Sequence, residues 1–246
     1  MQTVFSRNEK KYLITQMQAD RLIDALVTNM KPDKYSTYWV QNIYYDTENW
    51  DIIRTSMEKP HYKEKMRMRC YGNPETTDRM FLELKKKYSG VVYKRRLPII
   101  PSEIASSSID EILSKDSSQI AKELAYHIQM TGVTEKFFIS YHRQAFAGLN
   151  DDSLRLTLDS DISYRLDRLC FSNSRKGMAS IPLNSNNTNN PNGFLLEIKT
   201  PLSIPLWLVH LLSELGIFAT SFSKYAACFT DWIEKEDSEK WGIRSA

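Results

Sequence analysis

In the stretch KEKMRMRCYG, residues 63–72, Lys63, Lys65, Arg67 and Arg69 stand at every second position. Alternate residues of a strand point to one face. One face would therefore carry four positive charges, and the other Met66, Met68 and Cys70. Like charges stacked in this way repel unless something negative lies among them. The alternation returns along the chain. Glu83, Lys85 and Lys87 share a side of FLELKKKY, and Lys94 and Arg96 share a side of VVYKRRLP. Arg143 lies on the face of Tyr141 and Ala145. Arg155, Thr157 and Asp159 stand opposite Leu154, Leu156 and Leu158, and Glu197 and Lys199 opposite Leu196 and Ile198. Near the start, Arg7, Glu9 and Lys11 alternate likewise.

A sheet with one solvated side gives such alternation freely, and for any one strand that reading stands level with a functional one. The set is harder to explain that way, because Arg and Lys dominate strand after strand with few Glu among them. If these faces turned into a closed barrel, they would hold a ring of cations. Burying so many like charges unpaired is prohibitive, so water, an anion or both must lie among them. Phosphate suits such a place, since Arg offers a bidentate fork and Lys a point charge.

The elements expected around these strands alternate in blocks. QMQADRLIDALVTNM, 16–30, reads as a helix with Leu22, Ile23, Leu26, Val27 and Met30 on one face and Thr15 as N-cap. KPDK reads as a turn and 37–47 as a strand, followed by a short helix in NWDIIRTSM. Strands are expected at 61–71, 79–87 and 91–99, with turns at Gly72-Asn73-Pro74 and Ser89-Gly90. Residues 102–131 read as helical with a break near Lys115-Asp116, and strands return at 134–147 and 153–167. The Asn- and Ser-rich segment 171–193 reads as a long loop, a lid or a disordered stretch. GFLLEIKT is a further strand. PLWLVHLLSELG is a helix bounded by Pro205 and Gly216, and a helix over 223–235 closes the pattern. This is an α+β chain, expected as a single domain over 1–246: a closed antiparallel barrel of about eight strands with flanking helices.

Composition narrows the function classes. The chain has 246 residues, and its 33 Lys+Arg against 30 Asp+Glu leave a net charge of only +3. An argument for a polyanion partner must therefore rest on where the charges sit. Three scattered cysteines, Cys70, Cys170 and Cys228, argue against a disulfide framework or a zinc site. His61, His127, His142 and His210 show no metal spacing. MQTVFSRNEKKY has no apolar leader region, and no run approaches the ~18 apolar residues of a membrane helix, so a cytoplasmic setting is expected.

Eight strings, EKKYL, RMR, FLELKKK, VYKRR, YHRQAF, LRLTLD, LLEIKTP and SFSKY, occur in the order found in VTC domains. From about residue 5 to 235 the chain resembles that family, the catalytic domains of the vacuolar transporter chaperone complex and their bacterial stand-alone relatives. These fall within the CYTH-like, triphosphate tunnel metalloenzyme superfamily. The resemblance implies a tunnel that binds ATP and inorganic polyphosphate and transfers the γ-phosphoryl group to the growing chain. It implies a divalent metal, Mn²⁺ or else Mg²⁺. Carried over by motif position, Lys11, Arg67, Arg69, Lys85, Lys94, Arg143, Arg155, Lys199 and Lys224 would line the tunnel, with Glu197 on the metal. Superfamily hydrolases often open with Glu-x-Glu-x-Lys. Here Arg7 replaces the first Glu, which suits a VTC-type site better than a multi-metal triphosphatase and leaves the role of Glu9 open. The SPX domain and membrane helices of eukaryotic members have no counterpart in these residues, and their roles are not expected here.

On this reading Arg67, Arg69, Lys85, Lys94 and Arg143 clamp phosphates, Lys11, Arg155, Lys199 and Lys224 bind substrate, and Glu197, helped by Glu83, holds the metal. The plainer alternatives are Glu197 as an ion-pair partner of Lys199 or a neighbouring Arg, Lys199 and Arg155 as structural partners of Glu83 and Asp159, and Lys224 as a surface lysine. Lys63, Lys65, Lys87 and Arg96 are placed at the tunnel mouths or in solvent. A triphosphatase, a nucleotidyl cyclase and a non-catalytic polyphosphate or inositol-phosphate module stay open. Nucleic-acid binding is disfavoured, since no RNP or GxxG signature appears.

Overall fold

The computed structural model describes residues 8–89, 91–183, 193–201 and 203–240. Arg7, Gly90 and residues 184–192, which belong to the segment expected as a long loop over 171–193, lie outside these. The described strands are β1 (Asn8–Thr15), β2 (Met30–Asp46), β3 (Tyr62–Tyr71), β4 (Met80–Tyr88), β5 (Val91–Ile99), β6 (Thr134–Gly148), β7 (Arg155–Arg165), β8 (Ala179–Ser180) and β9 (Gly193–Thr200). The helices are α1 (Gln16–Leu26), α2 (Asp51–Met57), α3 (Pro101–Ser106), α4 (Ile109–Lys115), α5 (Gln119–Thr131), α6 (Leu206–Glu214) and α7 (Lys224–Lys240). The α+β expectation holds.

Hydrogen-bonded strands follow the order β1-β9-β7-β6-β2-β3-β4-β5, with the two-residue β8 on β7. Among the described residues the order ends at β1 and β5, and no pairing between them is present to close the expected barrel. Both end strands have a local reason. Pro98 in β5 has no N–H to give a further strand, and proline is confined to such edges. On β1, the Lys11 carbonyl already accepts the Thr220 N–H at 2.7 Å.

Several boundaries differ from those expected. The side chain of Thr15 accepts from the Gln18 N–H at 3.2 Å, and Gln18 Oε1 accepts the Thr15 N–H at 2.9 Å, a capping box that opens α1 as foreseen. The helix stops at Leu26. Val27 is exposed, and Met30 is buried as the first residue of β2 instead of on the helix face. Lys31-Pro32-Asp33-Lys34 lies inside that long strand. Its turn chemistry survives locally: Asp33 Oδ1 accepts the N–H groups of Tyr35 and Ser36, and Ser36 takes φ 46°. The 102–131 region breaks at both Ser107-Ser108 and Asp116–Ser118, giving three helices. Gly216 follows α6 with φ 64°, the left-handed geometry that glycine accepts without strain.

The chain divides into two compact units. One takes Val40–Ser140 with Tyr164–Ala179. Its core packs Met66, Met68, Cys70, Leu82, Leu84, Leu97 and Ile99 from β3 to β5 against Ile112, Leu113, Ala121 and Leu124 of α4 and α5. The other takes the described residues of Ser6–Trp39, Tyr141–Ser163 and Ser180–Ala246. Its core packs Tyr12, Ile14, Leu156, Leu158, Leu196 and Ile198 against Leu22 and Leu26 of α1 and Leu208 and Leu212 of α6. Each Leu, Ile or Met among them contributes about 1.5–3 kcal/mol when fully buried. In both units the apolar half of the alternation builds the core, which leaves the charged half on the other face. Among the described residues no helix is long and apolar enough to cross a membrane.

Candidate functional site

Each unit gathers its charged face around buried carboxylate. In the first unit, strand register aligns Tyr44, Arg67, Glu83 and Arg96 in one row across β2, β3, β4 and β5. Glu83 is 1% exposed. Its Oε2 accepts Arg67 Nε at 2.9 Å and lies 2.8 Å from Arg67 Nη2. Its Oε1 accepts Arg96 Nε at 2.6 Å and meets Lys94 Nζ at 2.7 Å. Arg69 Nε stands 3.9 Å from Glu83 and donates to Asn42 Oδ1 at 2.8 Å, while Asn42 Nδ2 donates to the Ile139 carbonyl. Arg67 Nη1 donates to the Tyr44 hydroxyl at 3.0 Å. Glu83 is thus a negative group among the repeated cations.

In the second unit, register aligns Lys11, Glu197 and Thr157. Asp159, fully buried, accepts a bidentate pair of bonds from Arg143, Nε to Oδ1 at 2.6 Å and Nη2 to Oδ2 at 2.7 Å. Lys224 Nζ bridges the two acids, 2.6 Å from Asp159 Oδ2 and 3.5 Å from Glu197 Oε1. Lys199 donates to Glu197 Oε2 at 3.0 Å, Lys11 lies 3.5 Å from Oε1, and Arg143 Nη2 is 4.0 Å from Oε2. Lys11 also donates to the Phe222 carbonyl and pairs with Glu9 at 3.3 Å. Tyr141 lies beneath Arg143 and Lys224, 5.3 and 4.5 Å from their charged centres.

The electrostatics follow from burial against charge. Burial pushes the Glu83 carboxyl up, but Arg67, Arg69, Lys94 and Arg96 overcome it and hold the group far below the ordinary carboxylate range. Burial likewise raises Glu197, and Lys199, Lys224, Lys11 and Arg143 drive it well below its ordinary value. Asp159 is lowered by Lys224 and Arg143 against its own burial. A carboxylate depressed in the folded state adds stability that is full above the unfolded pKa of about 4 and is lost as pH falls through the folded value. Urea midpoints should therefore hold from neutral pH down to about 5 and fall steeply below. A midpoint that stays constant at more acid pH would remove these carboxylates from the stability balance.

The expected site residues sort into three groups. Arg67, Arg69 and Lys94 gather at Glu83. Lys11, Arg143, Lys199 and Lys224 gather at Glu197 and Asp159. Two stand apart. Lys85 is exposed, opposite Lys65 and Lys94 in register. Arg155 lies opposite Lys199 in register, yet its guanidinium donates to the Asp152 carbonyl and sits 3.9 Å from Asp33. Arg96, assigned from sequence to a mouth or to solvent, is bound to Glu83 instead. The closest partners of Asp159 are Arg143 and Lys224, whereas Arg155 and Lys199 reach other oxygens. Tyr71, Asn42 and Tyr44 complete the first cluster: Tyr71 continues the Arg67-x-Arg69 alternation, and Tyr44, which by its aromatic neighbours reads as core, is buried and also turns its hydroxyl to Arg67.

Cations outnumber carboxylates in both clusters, so each offers net positive charge to a polyanion. Among the described residues no three His, Cys, Asp or Glu gather as a metal cage. A hard divalent ion can instead be held by one carboxylate with phosphate oxygens and water completing its shell. Glu197 is held more loosely than Glu83, by Lys199 at 3.0 Å and by Lys11, Lys224 and Arg143 at 3.5–4.0 Å, and its oxygens would be the ones to take such an ion. Glu83 does not, because three basic side chains already lie on its oxygens within 3 Å.

Residues 6–232 match the family model described as VTC domain. No curated protein matches the sequence. Among solved structures, a Vibrio parahaemolyticus protein provisionally described as an adenylate cyclase is 10% identical, covering 89% of this chain and 95% of its own with a TM-score of 0.45. A Pyrococcus horikoshii protein is 14% identical over 91% of this chain and 99% of its own, TM-score 0.45. The Mimivirus capping enzyme triphosphatase is 8% identical over 83% and 87%, TM-score 0.35.

Proposed function

The chain belongs to the VTC domain family, and from that premise we propose that it is a polyphosphate polymerase acting on ATP in the cytoplasm. The observation that carries the reading is the pair of cation clusters, each built around buried carboxylate and each positive in excess. A tunnel enclosing the phosphates, implied by the family resemblance, is part of the proposal.

Phosphoryl transfer needs positioning and charge stabilisation more than covalent chemistry from the protein. A terminal oxygen of the acceptor chain attacks the γ-phosphorus of ATP, the bond to the β-phosphate oxygen breaks, and ADP leaves with the electron pair. That acceptor oxygen is ionised near neutral pH, so no general base is required. Arg67, Arg69, Lys85, Lys94 and Arg143 clamp the reacting phosphates. Lys11, Arg155, Lys199 and Lys224 bind the rest of the phosphate chain. Glu83 and Asp159 hold the guanidinium groups in place. Glu197 would hold a divalent ion, Mn²⁺ or Mg²⁺, whose charge lowers the repulsion between the two phosphate ends. Two unit charges 4 Å apart interact by about 4 kcal/mol at an effective dielectric near 20, so several such repulsions must be offset.

Incubation with ATP and Mn²⁺ tests the proposal by product. The expected result is a ladder of polyphosphate on a gel with ADP released, stopped by a chelator. Free phosphate alone would make the protein a triphosphatase. Cyclic nucleotide with pyrophosphate would make it a cyclase. Binding of polyphosphate with no turnover of ATP would make it a binding module.

A further inference from the structure

Tyr71 ends β3 on the face of Arg67 and Arg69. Its hydroxyl oxygen accepts Arg96 Nη2 at 2.9 Å and Arg69 Nη1 at 3.2 Å. Both guanidinium groups also lie near its ring, 5.8 and 5.5 Å from the centroid. Phe81 holds that ring edge-on at 5.9 Å, and Arg96 stacks on Phe81 at 4.5 Å. An oxygen that takes one N–H from each of two arginines is doing what a phosphate oxygen would do there.

Resting on the phosphate-binding reading above, we propose that Tyr71 is an internal stand-in for phosphate, which an incoming phosphate oxygen must displace from Arg69 and Arg96. The charged groups facing it are Arg69 from its own strand, Glu83 from β4 and Arg96 from β5. Burial and Glu83 push the phenol up. Arg69 and Arg96 outweigh them and bring it down to about 7. Below that value the stand-in is a neutral phenol. Above it the stand-in is a phenolate, which holds the two arginines harder. Phosphate that displaces the phenolate leaves it to take up a proton from solvent. Phosphate affinity therefore falls as pH rises, by about tenfold at one pH unit above the midpoint if the displaced phenol stays protonated.

The experiment uses the full chain and inorganic triphosphate without ATP or metal, so it stands apart from the product assay. Tyrosinate absorption is titrated in the near ultraviolet for the parent and for Tyr71→Phe. The parent should show a one-tyrosine step near neutral pH, lost on adding triphosphate and absent from the variant. The variant should bind triphosphate more tightly, with the parent-to-variant Kd ratio growing to about tenfold between pH ~6 and ~8; comparing the two proteins cancels the ligand's own titration. If the variant does not fold, the parent's titration with and without triphosphate still decides. A parent with no neutral step, a step indifferent to triphosphate, or a Kd ratio constant with pH would each overturn the proposal. Failure to bind triphosphate at any pH would overturn the phosphate-binding reading itself.

Discussion

Glu197→Gln is expected to lower metal-dependent polyphosphate synthesis by roughly 10²-fold or more, the scale of losing one transition-state charge contact. The substitution keeps the side chain's shape but removes its charge. It also replaces one acceptor oxygen by an amide N–H₂, a donor set against either Lys199 or the Lys11 and Lys224 pair, while the other side keeps a carbonyl acceptor. Two effects then separate. The cluster becomes more positive, so triphosphate binding holds or tightens, while the ligand for the divalent ion is gone. The loss should fall on kcat and not on KM, and the Mn²⁺ concentration needed for half activity should rise. If Glu197 only pairs with Lys199, the variant loses stability while its Mn²⁺ dependence stays that of the parent. That outcome would remove Glu197 from the metal site.

The sequence made faces legible and left partners obscure. Alternation is local, so Arg67, Arg69, Glu83, Lys94 and Arg96 could be placed on charged faces residue by residue, and the apolar faces opposite them form the cores. Which cation meets which carboxylate depends on register between strands, and register is not written in either strand alone. Glu83 meets Arg96 because their strands pair with those residues opposite. Asp159 lies on the face of Arg155, yet its closest contacts are Arg143 and Lys224 from other elements. Lys224 shows the same limit in reverse: at the start of a helix it reads as a surface lysine, and the resemblance alone drew it into the site, where it is buried between two acids. Helix ends are legible where chemistry marks them, as at Thr15 and Gly216. They are not where an apolar pattern runs on past the end, as from Leu26 to Met30.

The largest stability loss is expected at Asp159. It is wholly buried, and its two oxygens are filled by Arg143 and Lys224. Asp159→Asn leaves those two cations buried with Glu197 as their remaining carboxylate, at 4.0 and 3.5 Å. Removing one member of a buried ion pair costs roughly 3–5 kcal/mol, because the charge left behind stays desolvated. A urea titration should show that loss as a fall in midpoint at unchanged slope. Adding Arg143→Met to the variant should restore part of it, since the two sites are coupled and one stranded charge disappears. Inorganic triphosphate should raise the Tm of Asp159→Asn by more than it raises that of the parent, because an anion replaces the missing carboxylate in the same cluster. A loss below about 1 kcal/mol would put this pair in the class of exposed salt bridges. Equal gains from triphosphate in parent and variant would show that the cations around Asp159 are not where phosphate binds.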